Sequence, residues 1–239
     1  MGELILNCDL GEDECAAQTE QLMALVGAAN ICCGVHAGNA AKTRATLELA
    51  KRCGVMVGAH PGLAIAGGRG SELPSAVELN ALLQEQLGCF LRLAGEVDVP
   101  VRYVKLHGTL YHAVEQDDAL ADVAVGMIKA LDNSVGIFSL AGGRLAQLAR
   151  RKGVSVWEEA FADRGYTPDG QLVPRGRPDD LTEDVAIAVA RLQQWQLSGK
   201  MPTIGGGSVA VRAQTLCVHA DSPHALQLLA ALNELLEAG

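Results

Sequence analysis

The chain has 239 residues, with 19 Lys and Arg against 28 Asp and Glu, for a formal net charge of −9. That length can bury a sizeable core, and with 49% hydrophobic residues a disordered chain is excluded. No apolar run approaches the roughly 18–20 residues of a membrane span. Without a basic run, and with aromatics at 3%, neither phosphate-gripping nor base-stacking contact with nucleic acid is expected.

Met1-Gly2-Glu3 opens without a basic stretch and runs into Leu4-Ile5-Leu6, which reads as a strand rather than a secretory leader. Leu6 also stands where a myristoylation motif needs Ser or Thr. Strands are predicted at Leu4–Cys8, Ala29–Cys33, Val55–Gly58, Val101–Lys105, Val135–Leu140, Val154–Trp157 and Thr215–Val218. Most are continuous apolar or β-branched runs, the pattern of parallel strands covered on both faces. Amphipathic helices are predicted between and after them at Thr43–Cys53, Ser75–Leu93, Ala119–Leu131, Gly143–Lys152, Thr182–Ser198 and Pro223–Leu236. Thr182-Glu183-Asp184 and Ser222-Pro223 read as helix starts. Strand–helix alternation without a linker predicts one α/β domain over residues 1–239, a (β/α) barrel in preference to an open sheet. Seven Cys at irregular spacing, with Cys32-Cys33 adjacent and no CxxC pair, suit reduced thiols in a cytoplasm.

Polar residues follow six of the seven strands. They are Asp9 and Glu12 after the first, His36 after the second, His60 after the third and Lys105 with His107 at the fourth. Glu159, Asp163 and Arg164 follow the sixth, and His219 with Asp221 the seventh. In a parallel barrel these ends share one face, so the groups converge on one mouth. Four of the six histidines (His36, His60, His107, His219) occupy equivalent strand-end positions, which points to a functional site. His112 and His224, on helices, are read as structural. Lys105 and His107 share a face at i and i+2, suiting an anion or a developing oxyanion; the bland alternative is a lysine buried against a carboxylate. Asp163-Arg164 has a bland reading as a local ion pair, whereas Arg164, Arg175 and Arg69 suit a carboxylate or phosphate clamp. Gly67-Gly68-Arg69-Gly70 and Gly205-Gly206-Gly207-Ser208 are weak phosphate-loop candidates, and neither is a Walker A motif. Cys33 is read as structural rather than nucleophilic.

The blocks Asn7–Glu12, Ala29–Gly38, Gly58–Pro61, Val104–Tyr111, Glu159–Tyr166, Leu172–Arg175 and Cys217–Asp221 together resemble the LamB/YcsF family of 5-oxoprolinase A subunits. They run in order along nearly the whole chain. Departures fall at Val35, Asn39, Leu106 and Ala220, and in Gly62–Gly70, where aromatics and acids are fewer. The resemblance implies a seven-stranded (β/α) TIM-like barrel of the glycoside hydrolase/deacetylase type. It further implies ATP-dependent opening of 5-oxo-L-proline to L-glutamate, with ATP (carried with Mg) as cofactor and subunits B and C as partners. The candidate catalytic set is then Asp9, Glu12, His36, His60, Lys105 and His107, with no metal assigned. Substrate or nucleotide binding falls to Glu159, Asp163, Arg164, Arg175, His219 and Asp221. Two alternatives stay open. One is a metal-dependent amidohydrolase or carbohydrate deacetylase, using Asp9 with two of His36, His60 and His219. The other is a non-catalytic ligand-binding subunit.

Overall fold

The computed structural model describes residues 4–182 and 184–237. The opening Met1-Gly2-Glu3 and Glu183 of the predicted helix start lie outside the described residues. Seven parallel strands close into a barrel: β1 (Ile5–Leu10), β2 (Ala28–Cys32), β3 (Met56–His60), β4 (Val101–Val104), β5 (Gly136–Leu140), β6 (Val156–Phe161) and β9 (Thr215–Val218). The ring closes through β6 onto β9 and β9 onto β1, with Glu159 opposite Thr215 and Asn7 opposite Cys217. Helices α1 (Ala16–Met23), α2 (Ala40–Cys53), α3 (Ala76–Glu96), α4 (Gly108–Gln116), α5 (Asp118–Leu131), α6 (Arg144–Arg151), α7 (Val185–Ser198) and α8 (Ala225–Glu237) connect the strands or follow them. An antiparallel hairpin of β7 (Lys200–Pro202) and β8 (Ser208–Ala210) lies outside the ring, and the glycines at 205–207 form its turn. Among the described residues no helix is long and apolar enough to cross a membrane.

All seven predicted strands exist, but β1, β3 and β6 run past their predicted ends, so Asp9, His60 and Glu159 lie on strands and not in loops. Their backbones stay in the ladder, with Asp9 opposite Asn30, Cys32 opposite His60 and Leu140 opposite Glu159. Helices α1 and α4 lack a start signal in the sequence, because neither Cys15 nor His107 offers a side-chain cap. Helix α7 starts at Val185 with Asp184 accepting from Ile187 N, and α8 starts at Ala225 rather than Pro223.

The main core lies between barrel and helices. Leu79, Leu83, Leu87 and Phe90 form one buried stripe of α3, following helical spacing. Burying such side chains stabilises by about 1.5–3 kcal/mol each. Ser75 and Glu78 close a reciprocal capping box at that helix's start. A separate aromatic plug fills the barrel: Tyr103 stacks on Phe138 with ring centroids 3.6 Å apart. Gly58 makes room for it, since a Cβ there would run into the Tyr103 ring. The seven cysteines are free thiols.

Candidate active site

A polar network rises through the barrel from that plug. Tyr103 Oη donates to Asn30 Oδ1 (2.7 Å), and Asn30 Nδ2 donates to Asn7 Oδ1 and Asp9 Oδ1, each at 2.7 Å. Asn7 Nδ2 in turn donates to Glu159 Oε1 (2.8 Å) and Thr215 Oγ1 (2.7 Å). Both asparagines are fully buried, so their amides are held by this network and not by water.

Lys105 Nζ sits above this layer, 3.0 Å from Asp9 Oδ1, 3.1 Å from Glu159 Oε1 and 3.0 Å from Cys217 Sγ. The bland reading of Lys105 is therefore the observed one: its ammonium is already paired with two carboxylates, and Asp9 and His60 stand between it and His107. Burial pushes the lysine down, but Asp9, Cys217 and Glu159 hold its pKa well above the ordinary value. Burial likewise pushes Asp9 up, and His60 and Lys105 hold it well below the usual carboxylate range. Glu159 goes the other way. Burial raises it, with Asp9 adding to the effect and Lys105 only partly opposing it.

Three imidazoles and Glu12 complete the centre. Glu12 Oε1 lies 3.0 Å from His36 Nε2, 3.1 Å from His107 Nδ1 and 3.8 Å from His60 Nε2. His36 stacks on His107 with centroids 3.9 Å apart, and His60 meets His107 edge-on. Burial raises Glu12, yet hydrogen bonds to His107 and His36 bring it far below its ordinary value. His36 is lowered by burial and raised more by Cys32 and Glu12, whereas burial dominates at His60 and lowers it. The Gly67–Gly70 segment, a candidate phosphate loop, instead covers these rings. Gly67 O faces His107 Nε2 at 3.1 Å, and Gly68, at φ +60°, leaves no room for a Cβ beside His107.

The mouth is a cavity of about 860 Å³. Asp9, His60, Lys105 and His107 reach its floor, and Arg164, Arg175 and His219 its wall. Glu12, His36, Glu159 and Asp163 stand behind those groups. Asp221 lies outside the cavity, held by Arg69 (3.1 Å), with Arg175 Nη2 at 3.9 Å. The expected Asp163–Arg164 pair does not form: Asp163 takes His219 Nδ1 at 3.0 Å. Burial raises Asp163, and His219 outweighs it to lower the pKa. Arg164 instead donates Nε to Asp180 O (3.0 Å) and Nη2 to Val173 O (2.6 Å), so it braces the loop. Burial, then Arg175, lower its pKa to about 10. Arg175 Nη2 is buried and makes no hydrogen bond.

Other residues of the site do not stand out in the sequence. His112, read there as structural, lines the cavity, because α4 starts directly at the mouth. Burial, followed by Arg164, His219, Arg175 and Arg69, lowers its pKa to about 4. Tyr111 also lines the cavity; neither its buried hydroxyl nor Glu159 Oε2 makes a hydrogen bond of normal geometry, although burial and the nearby Glu159 push the phenol up. Cys33 is buried and its thiol is pushed up by burial, so it stays structural. Asn39, one of the departures from the family pattern, accepts from Lys42 N as the cap of α2, a task Asp performs equally well.

A parallel barrel with a buried carboxylate, lysine and imidazole centre open to one cavity defines an α/β-barrel protein with a site of enzyme type. Its sequence is more specific: the LamB/YcsF family profile matches residues 4–239, and the chain belongs to that family. It is 37% identical to the A subunit of a 5-oxoprolinase from Histophilus somni, covering 100% of this chain and 97% of that protein. The corresponding 5-oxoprolinase A subunit of Neisseria meningitidis serogroup C is 38% identical, with 100% and 98% covered. The crystal structure of a lactam utilization protein from Thermus thermophilus superposes with a TM-score of 0.87 at 34% identity, covering 98% of this chain and 97% of that one.

Proposed function

We propose that this chain is the A subunit of an ATP-dependent 5-oxoprolinase, opening 5-oxo-L-proline to L-glutamate together with subunits B and C. The names of its relatives support the assignment, and one observation carries it to this site. A single cavity joins a carboxylate–imidazole floor to a wall on which Arg175 Nη2 makes no hydrogen bond and only a 3.9 Å approach to Asp221. A five-membered lactam is unstrained and its hydrolysis is marginal, so the amide needs activation; ATP enters as the co-substrate that phosphorylates the lactam oxygen. Water then adds to the activated carbon, the adduct expels the ring nitrogen as an amine to leave an acyl phosphate, and a second water releases phosphate and L-glutamate. Asp9, His60 and His107 supply proton acceptors for the first water, at atoms already aligned by Asn30, Lys105 and the Gly67 carbonyl, with Glu12 and His36 behind them. Arg175 meets the substrate carboxylate or phosphate. Lys105 and Arg164, both committed to internal partners, hold the floor and wall in place and are positioning residues.

The test is production of glutamate and ADP by this chain mixed with the two partner subunits. Turnover is expected in the full mixture, with Arg175→Ala raising KM for 5-oxoproline at least about tenfold. A full mixture that hydrolyses no 5-oxoproline overturns the reading.

A further inference from the structure

The rim of the mouth holds one carboxylate shared unequally by two arginines. Asp221, on the turn after β9, places Oδ2 3.1 Å from Arg69 Nη2, whereas its Oδ1 lies 3.9 Å from Arg175 Nη2. Arg69 is thus satisfied and Arg175 is not, for Arg175 Nη2 is buried and makes no hydrogen bond. A buried guanidinium nitrogen without an acceptor is costly. The chain around it is nonetheless braced: Arg164 donates Nη2 to Val173 O at 2.6 Å and Nε to Asp180 O at 3.0 Å, on either side of Arg175. Arg69 is held as well, with its stem over the start of α4, where a Cβ on Gly108 would stand 3.2 Å from Arg69 Cγ. Both arginines line the cavity. The acids that line it are engaged elsewhere: Asp9 with Lys105 and Asn30, Glu115 with the backbone N–H groups of Arg144 and Leu145, Asp169 with the Thr167 hydroxyl. Burial, and then the charges of Arg164, His219, Arg175 and Arg69, lower His112, so cationic charge converges on this part of the cavity.

We propose that Asp221 is the internal occupant of an oxyanion site between Arg69 and Arg175, and that a phosphate or carboxylate group of a ligand enters by displacing it. The exchange is favourable on both sides. Asp221 gives up an exposed pair, its side chain being 47% exposed and that of Arg69 43%, and such pairs contribute little. The incoming oxyanion gains two guanidinium groups, including the buried Nη2 that Asp221 leaves without an acceptor. Among the described residues the polar contacts of the Asp221 carboxylate are those two arginines, so once displaced it turns to water. Arg69 also belongs to the segment whose Gly67 carbonyl faces His107 Nε2. An oxyanion held by Arg69 and Arg175 therefore bridges the cover of the imidazoles and the cavity wall. Asp221 then does not bind substrate, as the family resemblance implies; it competes with it and sets the threshold for entry.

This deepens the 5-oxoprolinase reading and rests on it for the bearer of the oxyanion, so its test measures binding to the chain alone. The full chain, in low-salt buffer free of phosphate, is titrated by calorimetry with inorganic phosphate in one arm and 5-oxo-L-proline in the other. Saturable binding with Kd about 1 mM or tighter is expected in at least one arm, and the arm that binds tells phosphate from carboxylate. Asp221→Asn tightens that binding at least about threefold, and Arg69→Ala weakens it at least about fivefold. Asp98→Asn and Arg92→Ala make the same charge changes at exposed positions before β4 and late in α3, and leave the affinity unchanged. Unchanged or weaker binding by Asp221→Asn overturns the proposal, because Asp221 would then hold the arginines for the ligand. So does a tightening matched by Asp98→Asn, which is an effect of total charge, or a folded wild-type chain that binds neither probe. Binding with the expected signs but no glutamate from the full complex sinks the 5-oxoprolinase reading alone. Glutamate production with both arms weakened by Asp221→Asn sinks the displacement alone.

Discussion

The Lys105 ammonium lies 3.0 Å from Asp9 Oδ1, with both side chains buried inside the barrel and Glu159 closing the group from the other side. Removing one partner of such a group leaves buried charge uncompensated, which costs about 3–5 kcal/mol. Lys105→Met is therefore expected to lower unfolding free energy by that amount. Urea unfolding with an unchanged m-value checks it, and a loss under about 1 kcal/mol would mean the ion group contributes as weakly as a surface pair.

Tyr111 gives the opposite expectation. Its hydroxyl is buried in the cavity wall and makes no hydrogen bond of normal geometry, with Glu159 its nearest interacting group, so Tyr111→Phe removes a group that gains little from the fold. Stability should stay within about 0.5 kcal/mol of wild type or rise, while turnover in the reconstituted complex falls. A drop in Tm together with unchanged turnover would assign the hydroxyl a structural role instead.

Gly58 tests the plug beneath the site. An added methyl meets the Tyr103 ring, whose hydroxyl anchors Asn30 and through it Asp9. Gly58→Ala should cost about 1–3 kcal/mol by overpacking and change the near-ultraviolet circular dichroism of Tyr103. Both signals are read from a single denaturant series.

Acid sensitivity should follow His112. Its ordinary value of 6.5 falls to about 4 through burial and the nearby Arg164, His219, Arg175 and Arg69. Between those values the unfolded chain takes up a proton that the folded chain refuses. The contribution of His112 is thus fully present above pH 6.5 and is lost as pH falls from 6.5 to 4. Thermal unfolding of His112→Gln should show a flatter decline across that window than wild type. Parallel declines in the two proteins would remove His112 from the acid response.

Much of this architecture is legible in the sequence, because parallel strands buried on both faces leave continuous apolar runs and the helices between them leave amphipathic ones. Strand ends mislead where polar side chains point into the barrel: Asp9, His60 and Glu159 look like loop residues, yet their backbones remain in the ladder. Asn7 and Asn30 are absent from the expected site, although an asparagine inside an apolar strand run is itself a signal, since it must find buried partners. The convergence of His36, His60 and His107 follows from topology. Which partner each ring takes does not, because tautomers depend on carbonyls such as Gly67 O, placed by a loop without periodicity. The role of Lys105 also depends on distance. Spacing puts it beside His107, whereas its long side chain turns to Asp9 and Glu159.

Because β6 closes directly onto β9, none of the described residues between Ala162 and Gln214 contributes a strand to the ring. Arg164 and Arg175 come from that excursion, while Asp9 and His60 come from ring strands and Lys105 follows one directly. Floor and wall are therefore separable inheritances. Exchanging the excursion between relatives would redraw what the cavity admits while the reactive centre keeps its coordinates.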